Sequence, residues 1–532
     1  MAQELVLEDT PHGLQVYYDG RRLYGQRPAE DAARRVTARI IASGSLVIWP
    51  SPVVWHGWRE LSERVDDQSL VIAIESDPVL FELARRHLPA DDSRLLLIRA
   101  TPEGAVKALR RLGEHRLRRV VEISTTGSAL LHRDTYRLIA RIVEREIRVF
   151  WQNRMTLSAL GRLWVRNAIA NLPELIPGRP TPQLPGPAIV CGAGPSFDAS
   201  IDVIRRVRKL VSLVAVDTAL PVLAGHDIVP DVVVALEGQI ANLHDFLGAG
   251  RSTYHLIADL TSTPVVPRRH ERVSWTVTRF APFSLIDRLA MLLGSDAPLP
   301  PLGSVGVAAV SLAAAMGASP IICTGLDFAV LPGTTHARGA PSYRTAMGRS
   351  DRLHPVPDPA LGARMITAPG AGGQVLTTLV LKGYADELAA IVGLRDDIYA
   401  AAPFGLPYGA RPVAPHDVAS LVARAGGPRL DAVDSPADSS RRPSNAELRR
   451  FVRNEIADLQ RYVSSISRQS DGELPPSLDY LMCETPDRIT SFAGNVATLP
   501  PDEGARRRLH VAAEYYKERW ETALRLLERR SR

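Results

Sequence analysis

The sequence predicts an α/β protein with a large central α/β domain, a smaller α/β domain before it and a helical domain after it. Short apolar runs alternate with helical patterns twice along the 532 residues, which is typical of parallel sheets covered by helices. Two stretches rich in proline and glycine separate these regions, and long amphipathic patterns close the chain. We therefore expect domains at 1–172, 188–400 and 443–532, joined by linkers at 173–187 and 401–442.

The first region begins with a predicted β-hairpin at 16–24, because Asp19-Gly20 lies between two aromatic-rich runs. A helix at 28–42 follows, with proline at its start. Apolar runs then predict four parallel strands, at 45–49, 70–74, 95–99 and 119–122. A helical pattern covers 137–172, and the predicted linker after it contains six prolines and two glycines.

The central region repeats the alternation of strands and helices. Predicted strands lie at 188–191, 213–216, 232–236, 256–258 and 321–324. Segment 327–376 has little regular pattern but carries His336, Tyr343 and His354, so we expect a substrate lid there. Helices are predicted at 445–466 and 506–529.

Composition excludes several classes of protein. Hydrophobic residues make up 45% and charged residues 23%, which is ordinary for a soluble globular chain. The three cysteines lie far apart, which excludes a disulfide framework and a cysteine zinc site. The longest uncharged stretch, 297–326, is broken by proline, glycine and serine, so no membrane span is expected. We expect a cytoplasmic protein.

The net charge of +6 is spread over the whole chain, and the basic residues are almost all arginine. No basic run is interleaved with aromatic residues. The sequence therefore does not predict nucleic-acid binding.

A glycine-rich turn follows the first central strand directly and opens into a helix. It reads Gly192-Ala193-Gly194-Pro195-Ser196. Glycines let a backbone approach a phosphate, and a helix N-terminus favours an anion. Ser196 is placed either to cap the helix or to donate to a phosphate. The third glycine of the dinucleotide fingerprint and the Walker lysine are both absent, so a purely structural turn is the alternative. If Gly194 faces a ligand, Gly194→Val should block nucleotide binding and leave the fold largely intact.

Acidic residues stand at the ends of the next two strands. Asp217 follows one strand and Glu237 the other, so both should border the crevice where an open parallel sheet binds ligands. They could receive ribose hydroxyls, bind a base or hold a metal. The alternative is that Asp217 caps a helix, while Asp231 serves a turn.

Two further motifs complete the pattern. Gly303-Ser304 begins a helix of small residues, which would bring its N-terminus close to the sheet. The following strand opens into Gly325-Leu326-Asp327.

In series, GAGPS, VAVDTALPVL, IVPDVVVALE and GSVGVAAVSLAAAMGASPIICTGLDFA resemble the motility-associated-factor (Maf) glycosyltransferases. That family shares its core with 6-hydroxymethylpterin diphosphokinase-like proteins. The glycine-serine helix and TGLDF also resemble bacterial sialyltransferases that use a CMP-activated sugar. The resemblance covers residues 187–392 and implies a Rossmann-like central domain.

The resemblance implies transfer of a nonulosonic acid, of the pseudaminic or legionaminic type, from a CMP donor to Ser or Thr of flagellin. His336 and Tyr343 become candidate catalytic residues, with His336 the candidate base. Glu237 stands where the family commonly has Asp, which leaves a divalent metal open, and no other cofactor is expected. The implied donor-binding residues are Gly192, Gly194, Pro195, Ser196, Asp217, Glu237, Gly303, Ser304, Gly325 and Asp327.

Two other functions stay open at this point. One is magnesium-dependent pyrophosphoryl transfer from ATP to a pterin, with Asp217, Asp231 and Glu237 as ligands. The other is a non-catalytic module that binds a nucleotide sugar or flagellar components. In the first domain, Glu75 ends a strand at the position of a ribose-binding carboxylate, but prolines in the preceding turn remove N–H donors. We therefore expect that domain to be structural or to bind a partner.

Overall fold

The computed structural model describes residues 4–90, 92–113, 116–248, 254–278, 284–294, 299–300, 302–353, 365–401, 404–426, 443–467, 474–485 and 503–530. The chain divides into two compact units. The first contains residues up to Ala159, and the second contains Leu160–Glu484 and the C-terminal helix. None of the described helices combines the length and apolarity needed to cross a bilayer.

The first unit begins with a small antiparallel sheet and continues as alternating strands and helices. The antiparallel strands are β1 (Leu5–Thr10), β2 (Gly13–Tyr18) and β3 (Arg21–Arg22). The alternating elements are α1 (Pro28–Thr37), β4 (Ser45–Pro50), α2 (Trp58–Ser62), β5 (Leu70–Glu75), α3 (Pro78–Arg86), β6 (Leu95–Arg99), α4 (Pro102–Leu112), β7 (Arg119–Glu122) and the part of α5 (Arg133–Asn171) that precedes Leu160.

Strands β4 to β7 form a parallel sheet in the order β6-β5-β4-β7. All six residues of β4 and of β5 are buried, because helices cover both faces. Leu46 and Ile48 pack toward α4 and α5, whereas Val47 and Trp49 pack toward α1 and α2. The period of two along each strand thus divides the core into two layers.

The second unit contains the central sheet and the C-terminal helices. Its strands are β8 (Gly186–Cys191), β9 (Ser212–Val216), β10 (Val232–Ala235), β11 (His255–Asp259), β12 (Val273–Thr276), β13 (Ala318–Thr324), β14 (Met365–Gly370), β15 (Gly373–Thr378), β16 (Ile398–Ala400) and β17 (Arg411–Pro412). Its helices after α5 are α6 (Ile201–Val207), α7 (Leu220–Ala224), α8 (Leu243–Phe246), α9 (Ser284–Leu292), α10 (Val305–Ala315), α11 (Pro341–Gly348), α12 (Leu379–Val392), α13 (Val418–Ala425), α14 (Asn445–Ser467) and α15 (Glu503–Arg529).

The main sheet of this unit has eight parallel strands in the order β12-β11-β10-β9-β8-β13-β16-β17. The chain builds outward from β8 in one direction through β9 to β12. It then crosses back to place β13 on the other side of β8. The reversal creates a crevice at the carboxyl ends of β8 and β13, where doubly wound sheets bind ligands. The predicted α/β class with a Rossmann-like central domain is confirmed.

The C-terminal helices α14 and α15 pack on each other, and the 3₁₀ segment Pro476–Glu484 packs on both of them and on α9. Trp520 and Tyr480 are fully buried among them. The buried Glu455 accepts a hydrogen bond of 2.7 Å from Arg288 on α9. Asp479 accepts from the backbone N–H of Ser284, at the first residue of α9. Charge-assisted bonds of this kind fix the orientation of the packed helices.

The structure corrects the expectation of a patternless loop at 327–376. The described part of that segment contains α11 and an antiparallel hairpin of β14 and β15. The hairpin was missed because β14 contains proline and ends in glycine, so it lacks the usual strand signal. Strands β12 and β16 were also missed, since both are short. His354 and residues 402–403 and 427–442 of the predicted second linker lie outside the described residues. The domain boundaries stay a prediction.

Candidate functional site

A cavity of about 510 Å³ lies in the second unit, in the crevice at the carboxyl ends of β8 and β13. Its floor is built by the turns that follow these two strands. Its walls come from the end of β9, the start of α10, the segment after β13, and the hairpin with α12. Elements far apart in the sequence therefore converge on one site, at the position expected for an open parallel sheet.

The two turns on the cavity floor interlock through their glycines. The Gly192 N–H donates to the Thr324 carbonyl at 2.8 Å, and the Gly194 N–H donates to the Gly325 carbonyl at 2.8 Å. A Cβ at Gly192 would overlap the Gly325 carbonyl, and one at Gly325 would lie 2.6 Å from the Gly192 carbonyl oxygen. Gly325 also has a positive φ of 64°, which favours glycine. These glycines let two loops pack against each other.

The Asp327 carboxylate joins these loops from the second turn. It is 2% exposed and accepts a 2.7 Å hydrogen bond from the Ser196 N–H. It also accepts from the Ser196 hydroxyl. A Cβ at Gly194 would lie 2.6 Å from the Asp327 Oδ2 atom. Gly194 is thus needed for contact with a protein carboxylate, which fits the alternative of a structural turn, while its role toward a ligand stays a prediction.

This arrangement corrects the expectation for Ser196. Its hydroxyl does not cap the following helix and instead donates to Asp327. Burial raises the pKa of Asp327 to about 6, although the hydrogen bonds from Ser196 oppose that rise. The hydrogen bonds between Ser196 and Asp327 therefore stabilise the conformation of the two turns that form the cavity floor.

Helix α10 directs its N-terminus into the cavity. The Ser304 side chain caps the helix by accepting from the Gly306 N–H at 3.2 Å. A Cβ at Gly306 would lie 2.5 Å from Leu326, so this glycine lets the helix approach the turn after β13. No residue of α10 is charged. The positive end of the helix dipole is therefore presented to whatever occupies the cavity.

Asp217 lines the cavity at the end of β9 and is 2% exposed. Its Oδ1 accepts from the Thr218 N–H at 2.8 Å, and its Oδ2 accepts from the Asn242 amide at 2.8 Å. The same amide donates to Asp245 at 2.9 Å. Burial, and then the Asp245 charge, raise the pKa of Asp217 to about 7. Asp217 thus belongs to a carboxyl pair bridged by an amide at the edge of the site.

His336 lines the cavity and comes from the segment after β13. Its Nδ1 lies 3.0 Å from the Thr335 hydroxyl. Burial lowers the pKa of the ring, which favours the neutral form at neutral pH. A neutral imidazole at a cavity wall can accept a proton.

The structure brings most of the predicted site residues together. Eight of them line the cavity: Gly192, Gly194, Asp217, Gly303, Ser304, Gly325, Asp327 and His336. Four do not: Pro195, Ser196, Glu237 and Tyr343. Pro195 and Ser196 begin the turn of 3₁₀ helix behind the floor, and Tyr343 packs on the core from α11. Glu237 accepts from the Gln239 N–H at 3.0 Å.

Sequence reasoning missed one wall of the cavity. It is formed by Met365, Thr378, Leu381 and Tyr384, from β14, the end of β15 and α12. The Tyr384 ring covers Gly303, since a Cβ there would overlap the ring. Thr378 caps α12 by accepting from the Leu381 N–H at 3.1 Å. A threonine before an apolar helical run is a typical helix cap that the sequence shows, but the sequence does not show that α12 lies beside α10.

No cluster of three or more His, Cys, Asp or Glu side chains that could hold a metal ion occurs among the described residues. Asp231, a suggested magnesium ligand, instead pairs with Arg208 at 2.9 Å and accepts from the Leu213 N–H at 2.8 Å.

In the first unit, the position predicted for a ribose-binding carboxylate is filled by protein groups. Glu75 is fully buried and accepts from the Tyr136 hydroxyl at 2.8 Å and the Ser51 hydroxyl at 2.5 Å. The adjoining loop contains three non-glycine residues of positive φ, including the β-branched Val53 at 56°. Their strain is held by the packing of the unit. This carboxylate serves the fold of its own unit.

Comparisons with known proteins agree with this architecture. Residues 166–333 match the family described as 6-hydroxymethylpterin diphosphokinase MptE-like. The whole chain resembles the solved structure of a Maf glycosyltransferase from Magnetospirillum magneticum AMB-1, with a TM-score of 0.55. That match covers 99% of this chain and 90% of the other at 16% identity, so it establishes the fold. The predicted resemblance to the Maf fold with an MptE-like core is confirmed.

Two uncharacterized proteins of Treponema pallidum (strain Nichols) are also similar in sequence. One is 30% identical over 367 residues, which cover 66% of this chain and 64% of the relative. The other is 29% identical over 149 residues, which cover 27% of this chain and 64% of the relative. The alignments thus span somewhat less than two thirds of each relative's length.

Proposed function

We propose that the protein is a glycosyltransferase that moves a nonulosonic acid, of the pseudaminic or legionaminic type, from a CMP-activated donor to Ser or Thr of flagellin. The observation that carries the proposal is the cavity, which gathers the glycine turn, Asp217, the start of α10 and His336 into one crevice. The fold shared with a Maf glycosyltransferase supports the reaction class. The donor, the flagellin acceptor and a cytoplasmic site of action are parts of the proposal.

The lining would hold an anionic donor without lysine or arginine side chains. Among the described residues that line the cavity, His336 is the one basic side chain, and neither lysine nor arginine is present. An anion there would be held by backbone N–H groups and by the dipole of α10. The proposed donor carries one negative charge on its phosphodiester and a second on the carboxylate of the nonulosonic acid, and such neutral donors would have to hold both. Leu326, Phe328 and Met365 offer apolar surface to the rest of the ligand.

In the proposed reaction the acceptor hydroxyl oxygen attacks the anomeric carbon of the sugar. The bond from that carbon to the phosphate oxygen breaks, and CMP leaves with the electron pair. Positive charge develops on the sugar and negative charge on the leaving phosphate, which the N-terminus of α10 would stabilise. His336 is the proposed base that takes the hydroxyl proton, since burial keeps its imidazole neutral. Tyr343 stays a weaker candidate, because it lies outside the lining.

The decisive experiment is the intact mass of flagellin from a deletion strain complemented with wild-type or variant genes. The wild-type gene should restore the mass of the modified flagellin, and His336→Ala should not. His226→Ala is the matched control, because that histidine is exposed and lies outside the lining. Flagellin of the same mass in the deletion and parent strains would overturn the proposal. Purified His336→Ala should still bind CMP, because its loss removes a proton acceptor and leaves the phosphate donors in place.

The MptE-like match favours a second candidate function, pyrophosphoryl transfer from ATP to 6-hydroxymethyldihydropterin. That reaction transfers two phosphoryl groups and releases AMP, and magnesium normally neutralises the phosphates. Magnesium-dependent release of AMP from the two substrates would support it. The absence of AMP at high enzyme concentration would remove it. If CMP binds but neither reaction proceeds, the protein is a binding module.

A further inference from the structure

Two neighbouring side chains of the segment after β13 lie within hydrogen-bond distance of each other at the cavity wall. Thr335 and His336 both line the cavity, and the Thr335 Oγ1 atom lies 3.0 Å from the His336 Nδ1 atom. Directly after this pair, the Ala337 N–H donates to the Ala193 carbonyl of the glycine turn at 2.9 Å. The backbone is therefore tied to the cavity floor beside His336, and the contact with Thr335 orients the imidazole ring.

The hydrogen bond at Nδ1 decides which nitrogen of His336 can take a proton. A neutral imidazole carries one proton, either on Nδ1 or on Nε2. If Nδ1 carries it, Nδ1 donates to the Thr335 oxygen and the lone pair of Nε2 is available. If Nε2 carries it, the Thr335 hydroxyl donates to Nδ1 and neither nitrogen has a free lone pair. Among the residues that the structure describes, Nε2 has no hydrogen-bond partner, which leaves that nitrogen for a ligand.

The Thr335 hydroxyl is neutral, so it orients the ring without placing a charge beside it. Burial lowers the pKa of His336, whereas a carboxylate partner would raise it. The other titratable side chains of the described lining are Asp217, Asp327 and Tyr384. Both carboxylates already accept hydrogen bonds from other residues. Thr335 is therefore the acceptor that the cavity wall offers to Nδ1.

We propose that Thr335 is a positioning residue whose hydroxyl oxygen accepts from the Nδ1–H of His336 and so keeps the Nε2 lone pair free to act as the base. The acceptor oxygen gives its proton to Nε2 as it bonds to the anomeric carbon, and CMP leaves with the electron pair of the broken bond. The imidazolium that forms still donates from Nδ1 to Thr335, so the same hydrogen bond stabilises the protonated ring. This inference rests on the proposed function, because it needs His336 to act as a base.

The first experiment determines the tautomer in the protein without ligand. Nuclear magnetic resonance of protein with nitrogen-labelled histidine distinguishes a ring nitrogen that carries a proton from one with a free lone pair. His336→Ala identifies the signals of this ring. At a pH above the pKa of the ring, we expect the proton on Nδ1 in the wild type and shared between both nitrogens in Thr335→Val. A wild-type ring with its proton on Nε2 would overturn the proposal, since that nitrogen could not accept another.

The second experiment measures release of CMP from CMP-activated pseudaminic or legionaminic acid, with purified flagellin as the acceptor. Thr335→Val keeps the shape of the side chain and removes the hydroxyl. Its kcat should fall about tenfold, because one hydrogen bond of ordinary strength is lost in the transition state. The KM for the donor and the affinity for CMP should stay near wild type. The rise of activity with pH should move to lower pH, since the imidazolium loses an acceptor and its pKa falls.

Two further variants separate positioning from packing. Thr335→Ser keeps a hydroxyl and should restore both the rate and the pH profile. Thr334→Val is the matched control, because Thr334 is the preceding residue but lies outside the cavity lining. It should behave like the wild type. If Thr335→Val melts well below the wild type, Thr335→Ala makes the same comparison with a smaller side chain.

Each alternative outcome contradicts the proposal. A loss of CMP affinity in Thr335→Val would make the hydroxyl a ligand contact, and an unchanged kcat would show that Nδ1 needs no partner. A rate that Thr335→Ser does not restore would make the residue part of the packing. Wild-type protein that transfers neither sugar would overturn the proposed function itself. Normal transfer by a wild-type protein whose His336 carries its proton on Nε2 would overturn the role of Thr335 alone.

Discussion

Gly194→Ala should destabilise the second unit before it affects any ligand. The new Cβ would lie 2.6 Å from the Asp327 Oδ2 atom and 2.8 Å from the Gly325 carbonyl oxygen. Ordinary van der Waals contact begins at 3.4 Å, so the carboxylate would have to withdraw by about 0.8 Å, the difference between the two distances. Its 2.7 Å bond from the Ser196 N–H would stretch as it moved.

The expected cost follows from these two contacts. Overpacking a well-packed interior by one methyl group costs about 1–3 kcal/mol. Losing a hydrogen bond to a buried carboxylate costs roughly 1.5–3 kcal/mol. The side chains around the new methyl group can relax in part, so the two costs do not add in full. We therefore expect Gly194→Ala to lower the free energy of unfolding by about 3 kcal/mol. In a unit as large as the second one, that lowers the melting temperature by roughly 4 °C.

The assay is thermal unfolding together with CMP titration of the folded variant. Gly383→Ala is the matched control, because a Cβ at Gly383 meets nothing within 4 Å and the residue lies inside α12. That change should stabilise the helix by about 0.5–1 kcal/mol. Wild-type melting of Gly194→Ala combined with a loss of CMP affinity would refute this reasoning. It would show that the glycine is needed for ligand binding and that the Asp327 carboxylate can move away from the new Cβ at little cost in free energy.

Three further predictions concern buried polar groups. Because burial raises the pKa of Asp217 to about 7, the folded protein retains a proton that the unfolded chain has lost, so stability should fall as pH rises from about 4 to 7. Asp217→Asn should reduce the dependence of the unfolding free energy on pH by up to about 1.4 kcal/mol per pH unit, as measured by denaturation at pH 5, 6 and 7. An unchanged pH dependence would contradict a raised pKa of Asp217. Asn171→Ala should cost about 2–4 kcal/mol, because its amide donates to two buried backbone carbonyls at 2.8 and 2.9 Å, and a melting temperature equal to wild type would exclude this. Tyr136→Phe should lower the stability of the first unit by about 1–3 kcal/mol, because Glu75 would lose a hydrogen-bond donor at 2.8 Å. Amide hydrogen exchange of the residues in that unit measures this, and unchanged protection would contradict a stabilising role of the bond between Tyr136 and Glu75.

The strands and helices with strong local patterns could be predicted from the sequence. Strands β4 to β7 and β8 to β11 are runs of mostly apolar residues between turn signals. Both faces of β4, β5 and β8 to β11 are buried, whereas β6 and β7 at the edges of their sheet are partly exposed. The turn at Asp19-Gly20 has positive φ at both residues, 51° and 71°, as its composition indicates. The glycine turn after β8 was readable because the strand, the glycines and the helix are consecutive. Because these turns directly follow their strands in the sequence, they could also be placed at the carboxyl edge of the sheet.

Only the tertiary structure decided what those residues contact. Gly194 and Asp327 are separated by more than 130 positions in the chain, and no local pattern links a glycine to the carboxylate that requires it. The wall formed by β14 and α12, and the bond between Glu387 and Gly303, likewise join segments remote in sequence. Periodicity reports which face of an element is buried, because burial leaves a regular spacing of apolar residues. The partner of a buried polar group leaves no such spacing, since any element of the fold can supply it.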